Sequence, residues 1–223
     1  MARTVAEHVT RTLSAERFAP YLAASGHAPE RALRLYAWNI EMSAAFHGPL
    51  HVLEVSLRNA LHNQLTSLCG RPDWWHSPAI GLDVTSAMKV DAAKRVVAAL
   101  HVTPTPGHIV AELSFGFWGT LLSGKHTYEM RLWRPALHRA FPAYHGPRRP
   151  LYQDLYHLRR LRNRIAHHEP IHQRHLTADY DSILRILGYI SPKTAEWVKV
   201  NERVSEVLGR RGGVCAAMVP TRF

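Results

Sequence analysis

The side chains best suited to chemistry on an anion are concentrated in one stretch of this chain, Leu161-Arg162-Asn163-Arg164-Ile165-Ala166-His167-His168-Glu169-Pro170. Guanidinium groups present forked donors to phosphate or carboxylate, and imidazole exchanges a proton near neutral pH. Asn163 and His167 stand four residues apart, as do Arg164 and His168, so each pair shares one side of a helix. The residue before a proline avoids α geometry, so Pro170 ends that helix near His168 or Glu169. Both histidines then fall in its last turn, where the negative helix end favours a cation.

The elements that must position these groups follow from apolar spacing. Leu151, Leu155, Leu158, Leu161 and Ile165 recur at three- and four-residue steps, one apolar helical face. Arg162 projects into that face between Leu151 and Leu155, where a guanidinium needs a partner to offset its desolvation. A second helix, from about Leu50 to Leu68, carries the stripe Leu50, Leu53, Leu57, Leu61 and Leu68, and Glu54 interrupts it in the same way. Two opposite charges, each misplaced on an apolar face, suggest each other. Glu54 would hold Arg162 while leaving donors free for phosphate, or the pair would only set the register of the two helices.

Charge points to the partner. The net charge is +11 and the sequence pI about 10.2. Between Arg131 and His175 there are ten arginines, no lysine, and only Asp154 and Glu169 as acids. Arginine suits forked hydrogen bonding to phosphate, so nucleic acid is the favoured partner over a membrane surface, with a solvated basic surface as the bland alternative. Arg148, Arg149, Arg159 and Arg160 are the candidate nucleic-acid contacts. Arg58-Asn59 repeats the Arg162-Asn163 pair with His62 one position early, which suits binding of the same anion or support of the first site better than a second site of the same kind.

Arg162-Asn163, three residues, then His167 resembles the signature of the HEPN superfamily of α-helical domains. Within it the chain resembles the Abi-like (abortive infection) group through four further blocks: Leu35-Tyr36-Ala37-Trp38-Asn39, Ser43-Ala44-Ala45-Phe46, Leu53-Glu54-Val55-Ser56-Leu57-Arg58-Asn59-Ala60-Leu61, and Leu113-Ser114-Phe115-Gly116-Phe117-Trp118. The likeness covers roughly residues 10 to 190. It implies an all-α, HEPN-like helical bundle with additional helices, acting as a metal-independent endoribonuclease and a homodimer, without cofactor. In that reaction the RNA 2′-OH is the nucleophile. His167 moves a proton, Arg162 stabilises charge on the five-coordinate phosphorus, and Asn163 orients His167 or the phosphate, with Arg164 and His168 in support. Five residues of straight helix set Arg162 and His167 about 140° apart, which a two-fold dimer overcomes by placing two motifs across one cleft. A non-catalytic RNA-binding or phage-sensing module is the competing function. A toxin held by a regulatory RNA or partner protein is another.

The remaining chain reads as helices between Pro- and Gly-marked turns: Glu16 to Ala24, then one from Pro29 with Leu33, Tyr36, Ala37, Ile40 and Ala44 as its apolar face, broken at Gly48-Pro49. Tyr36 and Trp38 suit the core better than base stacking. Arg71 to Asp83 is a long loop. Val84 to Leu100 is a helix with Met88, Val96, Val97 and Leu100 inward. A helix containing Leu113 to Gly119 follows, packing within the protomer or, alternatively, at the dimer interface. Helices from Thr177 to Gly188 and from Ser191-Pro192 to Gly209 complete a single domain over 1–209, with 210–223 as a tail.

Several classes are disfavoured. Cys69 and Cys215 form no ligand-like spacing and imply a reducing cytosol. Arg3, Glu7, His8 and Arg11 leave no apolar core for a secretory leader. The most apolar run, Ile109 to Leu122, falls short of the ~20 residues of a membrane span and contains Glu112. His167, His168, His172 and His175 form the one candidate zinc cluster, but Pro170 interrupts the helix on which they would converge and no cysteine joins them. Neither a nucleophile elbow nor a Gly-rich phosphate loop is present.

Overall fold

Thr4 and Glu7 open the first helix with a reciprocal capping box, each side chain accepting from the other's backbone N–H. This helix, α1 (Val5–Leu13), precedes the first one expected from apolar spacing, although its Thr-x-x-Glu signal is plain in the sequence. The computed structural model describes residues 4–100 and 103–223, so Arg3 lies outside it. Among these residues the protein is all-α: α1, α2 (Ala15–Ala24), α3 (Pro29–Cys69), α4 (Val84–Ala99), α5 (Pro106–Glu112), α6 (Phe115–Leu121), α7 (Arg148–Ala166), α8 (Leu176–Ile190), α9 (Pro192–Asn201) and α10 (Val204–Cys215), with no strand. None of the described helices is long and apolar enough to cross a membrane.

The chain forms two compact units. The first comprises Met1–Leu50, Leu161–Asp181 and Val200–Phe223; the second comprises His51–Arg160 and Ser182–Lys199. In the first unit the core gathers Phe18, Tyr21, Leu35, Trp38, Met42, Phe46, Leu161, Ile171 and Val207. Trp38 is fully buried and donates its indole N–H to the Val207 carbonyl (2.8 Å), while Tyr36 sits edge-on to Tyr21, so both aromatics serve packing. Buried Glu41 accepts from Arg210 (2.7 Å), and the Arg211 guanidinium lies 5.0 Å from the Trp38 ring centre. The helix expected from Ser191-Pro192 to Gly209 is two, α9 and α10, and these contacts carry α10 through Gly209 and Arg210–Gly213 to Cys215.

In the second unit Leu53, Leu57, Leu61 and Leu65 line α3, and Leu65 takes the place expected for Leu68, which is exposed. Trp74 anchors the loop between α3 and α4: it is buried against Phe117 and Trp118 and donates its indole N–H to His62 Nδ1 (3.0 Å). Burial pushes the His62 pKa below its ordinary value.

Three departures from the apolar pattern have physical causes. α3 runs unbroken through Gly48-Pro49. Pro49 removes one N–H, but Gly48 has no Cβ to collide with the proline ring, and helix on both sides is held by packing. On α4 the buried face is Ser86, Val90, Ala93 and Val97, whereas Met88, Val96 and Leu100 are exposed. On α3 the buried set is Ala32, Leu35, Trp38, Met42 and Phe46, beside the stripe read from Leu33, Tyr36 and Ile40. Both helices carry apolar residues on more than one side, so period alone does not select a face. The segment expected as one helix around Leu113 to Gly119 is two, because Leu113 and Ser114 turn extended and Ser114 starts α6.

Candidate functional site

α7 ends in a turn closed by paired backbone hydrogen bonds. The His168 N–H bonds to the Ile165 carbonyl (3.0 Å) and the Glu169 N–H to the Arg164 carbonyl (2.7 Å), the paired closing bonds of a left-handed helix stop. His168 occupies the left-handed position, with φ +56°. A glycine would be free of strain there; a residue with a Cβ costs roughly 1–2 kcal/mol, although histidine visits the region more readily than most. Such strain persists only where the surroundings impose it.

Those surroundings are three side chains. Arg17 of α2 donates from Nη1 to the His168 carbonyl (2.5 Å) and more weakly to the His167 carbonyl (3.4 Å), placing a cation on the negative helix end. Arg164 folds back on the same turn, its Nε donating to the Pro170 carbonyl (3.0 Å) and Nη1 lying 3.5 Å from the Glu169 carboxylate. Asn39 Oδ1 accepts the backbone N–H groups of Ile171 (2.8 Å) and His172 (3.1 Å), fastening the strand of chain that leaves the turn.

The result is a fixed turn that carries two exposed imidazoles. Asn163, His167 and His168 are exposed, and Arg162 and Arg164 are half-buried. Asn163 and His167 remain in helical register, since the His167 N–H bonds to the Asn163 carbonyl (2.9 Å). The left-handed φ of His168 takes it off the face it was expected to share with Arg164. His172 is different in kind: it is 1 % exposed, 4.8 Å from the Tyr21 ring, and neither ring nitrogen has a hydrogen-bond partner. Burial, then the Arg211 and Arg164 charges, push its pKa down to about 4, so it is a neutral core residue. Among the described residues no three His, Cys, Asp or Glu side chains converge as a metal site.

The other candidates belong to the second unit. Glu54 Oε1 accepts the Phe115 N–H (3.0 Å), so a carboxylate meets the first turn of α6. Arg58 contacts Asn59 (3.4 Å) and the Ala111 carbonyl (3.5 Å). His62 is engaged by Trp74, so the Arg58-Asn59 echo of the motif is tied into packing. Arg148, with its side chain 12 % exposed, bonds Glu129 (2.5 Å) and the Leu122 carbonyl, a structural clasp. Arg149 and Arg160 are exposed, and Arg159 lies along α6 over Gly116. Arg17 is the site residue that no spacing in the sequence singles out; Asn39 stands in one of the blocks quoted above.

Comparison of the chain with protein families, with curated proteins and with solved structures finds no match.

Proposed function

We propose that this chain is a metal-independent endoribonuclease of the Abi-like group of the HEPN superfamily, acting in the cytoplasm as a homodimer in anti-phage or toxin-like defence. One observation carries the reading: the two exposed imidazoles at the end of α7 sit in a turn that holds a non-glycine residue at φ +56° and that Arg17, Arg164 and Asn39 lock in place. Strain held at an exposed residue able to exchange a proton supports a functional reading of this turn, where it coincides with the Arg162/His167 motif.

The reaction asks little of the protein because RNA carries its own nucleophile. A base takes the 2′-OH proton, O2′ attacks phosphorus, and a 2′,3′-cyclic phosphate forms as the bond to the 5′-oxygen breaks and that oxygen takes a proton. His167 serves one of these transfers, with Asn163 beside it in register. His168, or His167 of a second copy, serves the other. Arg162 stabilises the charge on the non-bridging oxygens.

The purified protein is expected to cut single-stranded RNA in EDTA and leave 2′,3′-cyclic phosphate ends, with His167→Ala inactive. Cleavage that vanishes with chelator and returns with Mg²⁺ overturns the mechanism. RNA binding without any cleavage leaves the non-catalytic module as the function.

A further inference from the structure

Arg149, Tyr152, Tyr156 and Arg159 follow one another at three- and four-residue steps along α7, a single face on which two aromatic rings lie between two cations. Between this face and α6 lies a small cleft lined by Phe115, Gly119, Thr120, Tyr152, Tyr156 and Arg159. Arg159 is held in an unusual way. Its guanidinium carbon lies 5.3 Å from the Tyr156 ring centre, and its stem crosses Gly116, where a Cβ would come within 3.4 Å of Cδ and 3.5 Å of Nη1. Its Nε is buried without a hydrogen-bond partner. A cationic side chain that lines a cleft without an acidic lining residue, and whose Nε is left without an acceptor, is a donor set for an anion.

We infer that this cleft is a subsite for single-stranded RNA, in which Arg159 binds a phosphate oxygen and Tyr156 stacks the adjoining base. The dimensions divide the two roles. The cavity volume is about 20 Å³, enough for one oxygen-sized group and far too little for a base. The base must stay on the rim, where Tyr156 is 40 % exposed and stacking is tolerant of sequence. Phe115 and Leu155 wall the cleft with apolar surface, which strengthens a charge-assisted hydrogen bond. Choosing RNA as the source of the phosphate rests on the function proposed above; the cation, the cleft and the ring do not.

The test is fluorescence anisotropy of a labelled single-stranded RNA oligomer on the full-length His167→Ala protein, which binds without turnover. In that background Arg159→Gln and Tyr156→Ala should each weaken binding at least about fivefold. Arg159→Gln should also flatten the log–log salt dependence by about 0.7, the share of one phosphate on a single strand, while Tyr156→Ala leaves that slope unchanged. Gly119→Ala supplies a variant that leaves Arg159 intact: a Cβ there meets nothing within 4 Å, so the chain accommodates the methyl group, which narrows the cleft and should also weaken binding. An oligomer abasic at every position should bind more weakly and lose the Tyr156 effect but keep that of Arg159, and inorganic phosphate should compete only at far higher concentration. If the His167→Ala protein binds RNA and all three further variants bind it equally well, the cleft holds water and the inference is wrong. If the His167→Ala protein binds no RNA, the functional reading falls as well.

Discussion

Replacing His172 by leucine isolates the energetic consequence of a buried imidazole next to the motif turn. In the folded protein the group stays neutral down to about 4, because burial and the Arg211 and Arg164 charges oppose protonation. In the unfolded chain it titrates near its ordinary 6.5. Above 6.5 neither state is protonated and His172 adds no pH dependence. Between 6.5 and 4 the unfolded chain binds a proton that the folded one refuses, so stability falls as pH falls, by about 1.4 kcal/mol per pH unit. The loss approaches about 3 kcal/mol near pH 4 and then levels off, a large share of the roughly 5–15 kcal/mol that holds a typical domain together. Leucine cannot titrate, and it also removes two ring nitrogens that lack partners, each of which disfavours the folded state. Urea unfolding of parent and His172→Leu at pH 7.5, 6, 5 and 4.5 should give a leucine variant at least as stable as the parent at pH 7.5, with a gap that widens by about 2–3 kcal/mol toward pH 4.5. A gap that stays constant with pH would show that His172 takes up its proton as readily in the folded protein as in the unfolded chain, and the account of its environment would be refuted.

Glu54→Ala should lower stability by about 1–3 kcal/mol by uncapping Phe115 at the start of α6; an unchanged melting temperature would show that the carboxylate does not hold that turn. Arg17→Ala should cost only about 1 kcal/mol of stability, yet reduce RNA cleavage about tenfold or more by loosening the turn that carries His167 and His168. Full activity in a protein that nevertheless melts lower would separate the turn from catalysis. For the proposed dimer, Arg162→Ala and His167→Ala should each be nearly inactive, and subunit exchange between them should restore cleavage if Arg162 of one copy serves His167 of the other. A protein that is monomeric by light scattering and fully active at the same concentration rules out a shared site.

Much of the architecture was legible because local chemistry and periodicity agree. The stripe Leu151, Leu155, Leu158, Leu161 is buried as its spacing demands, and the near-absence of strand signals matches an all-α protein. The motif was legible too, since helical register alone puts Asn163 and His167 on one side, and Pro170 announces that the helix must stop. Where the sequence is ambiguous it misleads in a consistent way. α4 has apolar residues on two faces, and burying Val97 with Val90 rather than with Met88 depends on neighbours that no local pattern contains.

The sequence by itself determined the helical class, the position of the histidine turn and the basic character around it, because each depends on residues within about one turn of one another. Tertiary structure alone decided what the charges do. Arg17 reaches the carbonyls of residues 150 positions away, Asn39 captures Ile171 and His172 across 132 positions and more, and Arg148 is drawn to Glu129 while Arg159 is left with an unanswered N–H in a cleft. Arginines alike in sequence become clasp, turn lock or open donor according to which carboxylate, carbonyl or apolar wall the fold brings within about 3 Å, and hydrogen bonding is too short-ranged for composition to foresee it.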